Sequence, residues 1–172
     1  MKKVFHVSIY ILVVLVVTIL VKTFCFQRSV VDGSSMENTL QDGESLIVEK
    51  ITGRISGYDR FDIIVFPFQY SQNVYYIKRI IGLPGETVQI SSGKIYINGN
   101  ELKENYGKET IVDAGTAEKP VLLGKDEYFV LGDNRNSSMD SRTDDVGNIH
   151  KKDIIGKVAL RVWPLNKFGS VK

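Results

Sequence analysis

The chain has 172 residues, 43% hydrophobic and 24% charged, with a formal net charge of +2, enough for one folded domain and a small appendage. Residues 1–26 hold three cations and no acid, leaving 19 of the 22 basic groups against all 20 acidic ones and a balance of −1 over residues 27–172; this excludes the basic surplus of a nucleic-acid binder. The single cysteine, Cys25, excludes an internal disulfide.

From Val4 to Val21 the chain reads VFHVSIYILVVLVVTILV, without Asp, Glu, Lys or Arg. Eighteen helical residues reach roughly 27 Å, close to the ~30 Å hydrocarbon core of a bilayer. No polar face interrupts the run, as it would on an amphipathic core helix. A cleavable signal peptide also opens on lysines, here Lys2 and Lys3, but it ends in small residues before its cut. This run ends VKTFCF, with Phe24 and Phe26. The expectation is an uncleaved, single-pass anchor over residues 1–26, seated in the lipid bilayer. Lys2 and Lys3 favour a cytoplasmic N-terminus, while Lys22 and Arg28 weigh the other way. Residues 27–172 then form an extracytoplasmic domain.

GSSMENTL (33–40) follows shortly after. Gly and Ser suit a solvated linker, and they also suit a turn that presents a serine nucleophile beside a membrane. Beyond residue 40 the pattern is strands. ESLIVEK (44–50), FDIIVF (61–66), VYYIKRIIG (74–82), ETVQIS (86–91) and KIYING (94–99) are short and rich in Ile, Val, Tyr and Phe. They are punctuated by QDG, LPG, SSG and NGN, which are turn signals. PVLLG, EYFVLG and DIIGKVALRVW continue the series. The fold class expected is all-β, a strand-rich sandwich or open barrel behind one N-terminal transmembrane helix. The polar stretch 102–119 reads as an inserted loop.

A serine hydroxyl needs a base before it attacks. Of the two histidines, His6 falls in the expected span and His150 in the charged run NIHKKD. A lysine can replace them if burial lowers its pKa from about 10.4. Lys78 is the basic residue set in an apolar strand, YYIKRII, sharing a face with Tyr76 and Ile80 by the two-residue period. On pattern alone it reads either as a base or as an edge-strand charge that discourages aggregation. A third stretch, GDNRNSSMDSR (132–142), follows the apolar EYFVL. Arginines at alternate positions argue against a calcium loop, and Asn136-Ser137-Ser138 matches a glycosylation sequon by chance. The reading that uses more of the loop has hydroxyls orienting a buried lysine above an Asp140–Arg142 ion pair.

GSSM (33–36), KRIIGLPG (78–85) and GDNRNSSMDSR (132–142), in that order behind an apolar anchor, resemble the type I signal peptidases of Gram-positive style. The resemblance runs to IIGKVALRVWP near the end of the chain. It implies a membrane-anchored serine endopeptidase that removes signal peptides from translocated preproteins after an Ala-x-Ala-like site. It implies Ser35 as nucleophile and Lys78 as general base, with Ser138 orienting the lysine and Asp140 and Arg142 as a structural pair. Gly132 and Asp133 fall in the same supporting block. Val31, Met36, Leu40, Tyr76 and Ile77 are implied at the substrate pocket, which would suit small side chains. The implied partners are secreted preproteins, the bilayer and the neighbouring secretion translocon, with no nucleic acid, cofactor or metal.

The Ser35 N–H is a candidate oxyanion donor. Some relatives place a serine two positions before the nucleophile, where this chain has Gly33. Asn38 stands where the family usually has Pro, Glu86 where Asp is common, and Phe61 where Gly often precedes DIIVF. Two other readings exist. A self-cleaving serine–lysine repressor fits poorly with the anchor, and a non-enzymatic tethered module fits poorly with the joint presence of Ser35 and Lys78.

Overall fold

The computed structural model describes residues 2–171. Met1 and Lys172 lie outside the described residues, as do the side chains of Lys2, Lys3 and Lys22, which bear on the expected orientation. Helix α1 spans Lys2–Cys25. Its His6–Cys25 stretch has a mean hydropathy of 2.5 and is not buried against the rest of the protein. The helix ends at Cys25, and Phe26 already opens β1 (Phe26–Val30).

The strand-rich fold expected of the remainder is present as two antiparallel sheets. The larger has seven strands in the order β1-β2-β11-β3-β4-β9-β10, and the smaller has four in the order β7-β6-β5-β8. In the larger sheet β2 is Ser45–Glu49, β3 Ile63–Pro67, β4 Tyr75–Gly82, β9 Glu127–Leu131, β10 Ile149–His150 and β11 Gly156–Trp163. The smaller sheet comprises β5 (Thr87–Ser91), β6 (Lys94–Ile97), β7 (Asn100–Glu101) and β8 (Val121–Leu122). A short helix not visible as a period in the sequence, α2, spans Thr52–Ser56. The run DIIGKVALRVW enters its strand only at Gly156, because Lys151–Asp153 form a 3-10 turn.

Continuous apolar runs arise where a strand is covered on both sides. In β3, Ile63 and Val65 enter one cluster with Val31, Met36, Leu40, Leu46 and Ile77, whereas Ile64 and Phe66 enter another with Ile80, Tyr128 and Val130. Strand alternation thus splits IIVF between two cores. A third core joins the two sheets, setting Ile81, Phe129 and Leu131 against Val88, Ile90, Ile95 and Ile97. The segment after β7 is irregular but packed, with Ile111 and Ala117 buried in that third core.

This topology places β4 between β3 and β9, in the interior of the larger sheet. The edge-strand reading of Lys78 therefore fails, and its charge needs another explanation. Ile64, fully buried and opposite Lys78 in the β3–β4 register, holds that strand pair in place. Ile64→Ala should lower unfolding free energy by about 2–5 kcal/mol through lost contact and a residual cavity. Ile55→Ala, on α2 and 78% exposed, should change it by less than about 0.5 kcal/mol. Denaturant titration of both variants measures the difference.

Candidate active site

The segment 33–40 forms a tight turn with two residues at positive φ, Gly33 at 92° and Asn38 at 102°. Gly33 N–H donates to Asp42 Oδ1 at 2.8 Å, and Leu40 N–H to the Met36 carbonyl at 2.8 Å. Leu40 and Met36 anchor the turn in the core. Ser35 is thereby held at the surface of a packed element. Its backbone N–H donates to no group of the described residues.

The loop 132–142 grips this turn from the other side. Asn134 N–H donates to the Ser35 carbonyl at 3.1 Å and its side chain to the Ser34 carbonyl at 3.0 Å. A Cβ on Gly132 would lie 2.4 Å from the Ser35 carbonyl oxygen and 2.2 Å from Ser138 Oγ, so the two segments approach as closely as they do because residue 132 has no side chain. Asp140 accepts two hydrogen bonds from the Arg142 guanidinium, at 2.8 and 2.9 Å, one from the Arg142 backbone N–H at 3.3 Å and one from the Gly132 N–H at 3.1 Å.

Lys78 reaches the turn from β4. Its Nζ lies 2.7 Å from Ser35 Oγ and 3.1 Å from the Ile77 carbonyl, and the residue is 3% exposed. Burial pushes the Lys78 ammonium from its ordinary 10.5 down to about 8, against the opposing pull of the Asp140 and Asp133 charges. A hydroxyl beside an amine that is substantially neutral near pH 8 can lose its proton to that amine. Ser138 Oγ is buried and has no hydrogen-bond partner among the described residues. His150 is paired at 3.7 Å with Glu127, far along the chain from either group.

An open cleft of about 190 Å³ lies over the Ser35–Lys78 pair. Val31, Met36, Tyr76 and Ile77 line it together with Val30, Tyr75 and Met139. Leu40, expected at the pocket, is instead fully buried beneath the turn, where it packs with Met36. Among the described residues no cluster of His, Cys, Asp and Glu is placed to hold a metal ion.

Residues 4–163 match the family described as "Signal peptidase, peptidase S26". The chain belongs to that family. A "Signal peptidase I P" of Bacillus subtilis subsp. natto is 38% identical over 94% of this chain and 90% of its own length. A "Signal peptidase I" of Bacillus amyloliquefaciens is 40% identical over 94% and 89%, respectively. A signal peptidase I of known structure, from Enterococcus faecalis V583, is 34% identical and covers 58% of this chain and 95% of its own, with a TM-score of 0.49. This signal peptidase is accordingly a serine peptidase that acts on preproteins bearing signal peptides.

Several residues that shape the site in this peptidase were not singled out by sequence reasoning. Arg79, fully buried, donates to both oxygens of Asp133, at 2.9 and 2.7 Å, and to the Phe61 carbonyl at 2.9 Å. The Thr39 hydroxyl donates to Asp133, and Asn134 clamps Ser34 and Ser35 as described. A signal for Arg79 was present in the sequence: an arginine in an apolar strand requires a buried acid, and Asp133 is the acid that follows the neighbouring strand.

The lowered Lys78 pKa makes a stability prediction with a definite sign. The unfolded chain binds the lysine proton more tightly than the folded one, so the penalty is fully present below pH 8 and fades as pH rises toward 10.5. Lys78→Met should therefore stabilise the fold at pH 6 by up to about 3 kcal/mol, and the gain should shrink by pH 10. Urea denaturation at the two pH values checks both size and direction.

Proposed function

We propose that this signal peptidase cleaves by a Ser35–Lys78 dyad, at the outer face of the membrane that α1 anchors it to. The observation that carries the reading is the 2.7 Å contact between Lys78 Nζ and Ser35 Oγ at the floor of an open cleft. Neutral Lys78 accepts the Ser35 proton as Oγ attacks the scissile carbonyl. The tetrahedral intermediate collapses as the lysine returns that proton to the leaving amine, and the signal peptide remains as an ester on Ser35. Water then repeats the sequence, with Lys78 as its base, and releases the carboxylate.

The free Ser35 N–H supplies one donor to the oxyanion; Gly33 offers no hydroxyl for a second. Ser138, whose buried hydroxyl has no hydrogen-bond partner among the described residues, orients Lys78 after Ser35 has been acylated and can no longer donate to it. Asp133 and Asp140, each tied to its own arginine, and Gly132 hold the loop behind the dyad. Val31, Met36, Tyr76 and Ile77 form shallow walls that accept small side chains at the first and third positions before the cut, an Ala-x-Ala-like preference. Residues 1–26 act as anchor and residues 27–172 as the extracytoplasmic domain, beside the translocon. From Phe26 to Ser35 is nine residues, at most roughly 30 Å of extended chain, so the nucleophile stays within reach of a translocated cleavage site.

Ser35→Ala and Lys78→Ala should each abolish peptide cleavage with the fold intact, and the double variant should be no worse than either. Lys78→Arg should fail as well, because guanidinium stays protonated. His150→Ala should retain activity. In the active enzyme kcat/KM should rise with pH through a midpoint near 8, since the depressed pKa makes the reactive neutral amine available above it. A Lys78→Ala enzyme cleaving at near wild-type rate would end the proposal.

The anchor has its own test. A chain beginning at Phe26 keeps β1 whole and should cleave soluble peptides while no longer sedimenting with membranes. Loss of residues 1–26 from the mature protein in cells would contradict the anchor.

A further inference from the structure

The stretch 104–108, part of the polar segment that reads in sequence as an inserted loop, touches all three blocks from which the site is built. Toward the nucleophile turn, the Tyr106 carbonyl accepts from Asn38 Nδ2 at 3.0 Å, and Lys108 Nζ lies 2.8 Å from Glu37 Oε2. Toward β4, the Tyr106 ring lies 3.7 Å from the Arg79 guanidinium carbon, a cation–π stack on a buried arginine. Toward the loop 132–142, Glu104 pairs with the buried Arg135 at 2.7 Å, and Lys108 N–H donates to the Asp133 carbonyl at 2.8 Å. Glu104 Oε2 accepts from the N–H groups of Tyr106 and Gly107, at 2.7 and 3.3 Å, which closes the stretch on itself.

We infer that residues 104–108 are a positioning strap that sets Ser35 against Lys78, with the Asn38 side chain and the Tyr106 carbonyl as its latch. The inference rests on Ser35 as the attacking group. The turn that carries Ser35 is fixed by Asn134, Met36 and Leu40; its outer limb, Glu37–Asn38, is held inside the turn by the Glu37 N–H on the Ser34 carbonyl at 3.0 Å, and its two side chains are held by this stretch. Asn38 sits at φ 102°, a conformation that Asn tolerates better than most residues and that proline, fixed near −65°, cannot adopt. The side chain at this place is held by a contact 68 residues away in sequence. Asn38 and Tyr106 touch no reacting atom. They are positioning residues.

The test uses the full-length enzyme and a peptide substrate, with kcat, KM and unfolding midpoint measured on each variant. Asn38→Gly keeps the backbone conformation and removes the latch. It should lower kcat roughly ten-fold, within the range that small misplacements of a reacting group produce, with KM and the pH midpoint unchanged. Asn38→Asp turns a donor into an oxygen facing the Tyr106 carbonyl and should fall at least as far. Asn38→Pro, which cannot adopt φ 102°, should fall further than Asn38→Gly, and Tyr106→Leu should lower kcat in the same sense.

Wild-type kcat in Asn38→Gly, or a loss of activity that follows only the fraction unfolded, would overturn the strap. So would Asn38→Pro matching or exceeding the wild type. Ser35→Ala, assayed alongside, separates failure of this inference from failure of the dyad: an active Ser35→Ala enzyme removes the nucleophile, whereas an inactive one with an unaffected Asn38→Gly removes only the strap.

Discussion

A lysine amine held out of water, 2.7 Å from a serine hydroxyl, is the constraint around which the rest of the structure is arranged. An ammonium loses hydration when buried and releases its proton more readily, so the depth of Lys78 in the sheet sets its chemistry. That depth requires β4 to be an interior strand with apolar neighbours on both sides, as the β3–β4–β9 order and the three cores provide. It also requires that nearby acids not hold the amine in its charged form. Asp133 and Asp140 both pull in that direction. Each is closed by a two-toothed bond to its own arginine, Arg79 or Arg142. A charge neutralised at hydrogen-bond distance exerts a much weaker field further away, so the two ion pairs can brace the loop without fixing a proton on Lys78.

The same pairs explain why the site tolerates so much buried charge. Arg79, Asp133, Asp140 and Arg142 are all buried, yet each has several polar partners. Buried ion pairs of this kind contribute little net stability and are costly to break on one side. Their contribution here is geometric. They fix the loop 132–142 against the turn 33–40, and the bare backbone of Gly132 lets the two meet. The cleft lies open over Ser35, while Lys78 beneath it is 3% exposed.

Much of this was legible in the sequence. The apolar N-terminal helix and the strand-rich class follow from local patterns, an uncharged run and short apolar segments between turns, whereas Ser35, Lys78, Asp140 and Arg142 were singled out by the family resemblance of the blocks that hold them, pattern alone leaving Lys78 open between a base and an edge-strand charge. Other features depend on which segments meet in space, and no local pattern reports that. Leu40, implied at the pocket by the family resemblance, is fully buried in the core behind the turn. Phe61 adopts φ 75°, and its ring packs 5.0 Å from Tyr106. The contact of Asn38 with Tyr106 was hidden for the same reason: its partner comes from a segment with no pattern of its own.

If burial beside Ser35 makes Lys78 a base near neutral pH, as proposed, the amine must titrate far below an exposed lysine. The most direct measurement is a titration of Lys78 itself, by the NMR chemical shift of its side chain next to the amine, assigned through Lys78→Met and followed from pH 6 to 11. The expected midpoint is near 8, well separated from the exposed lysines. A Lys78 midpoint in the ordinary range near 10.5 would contradict it.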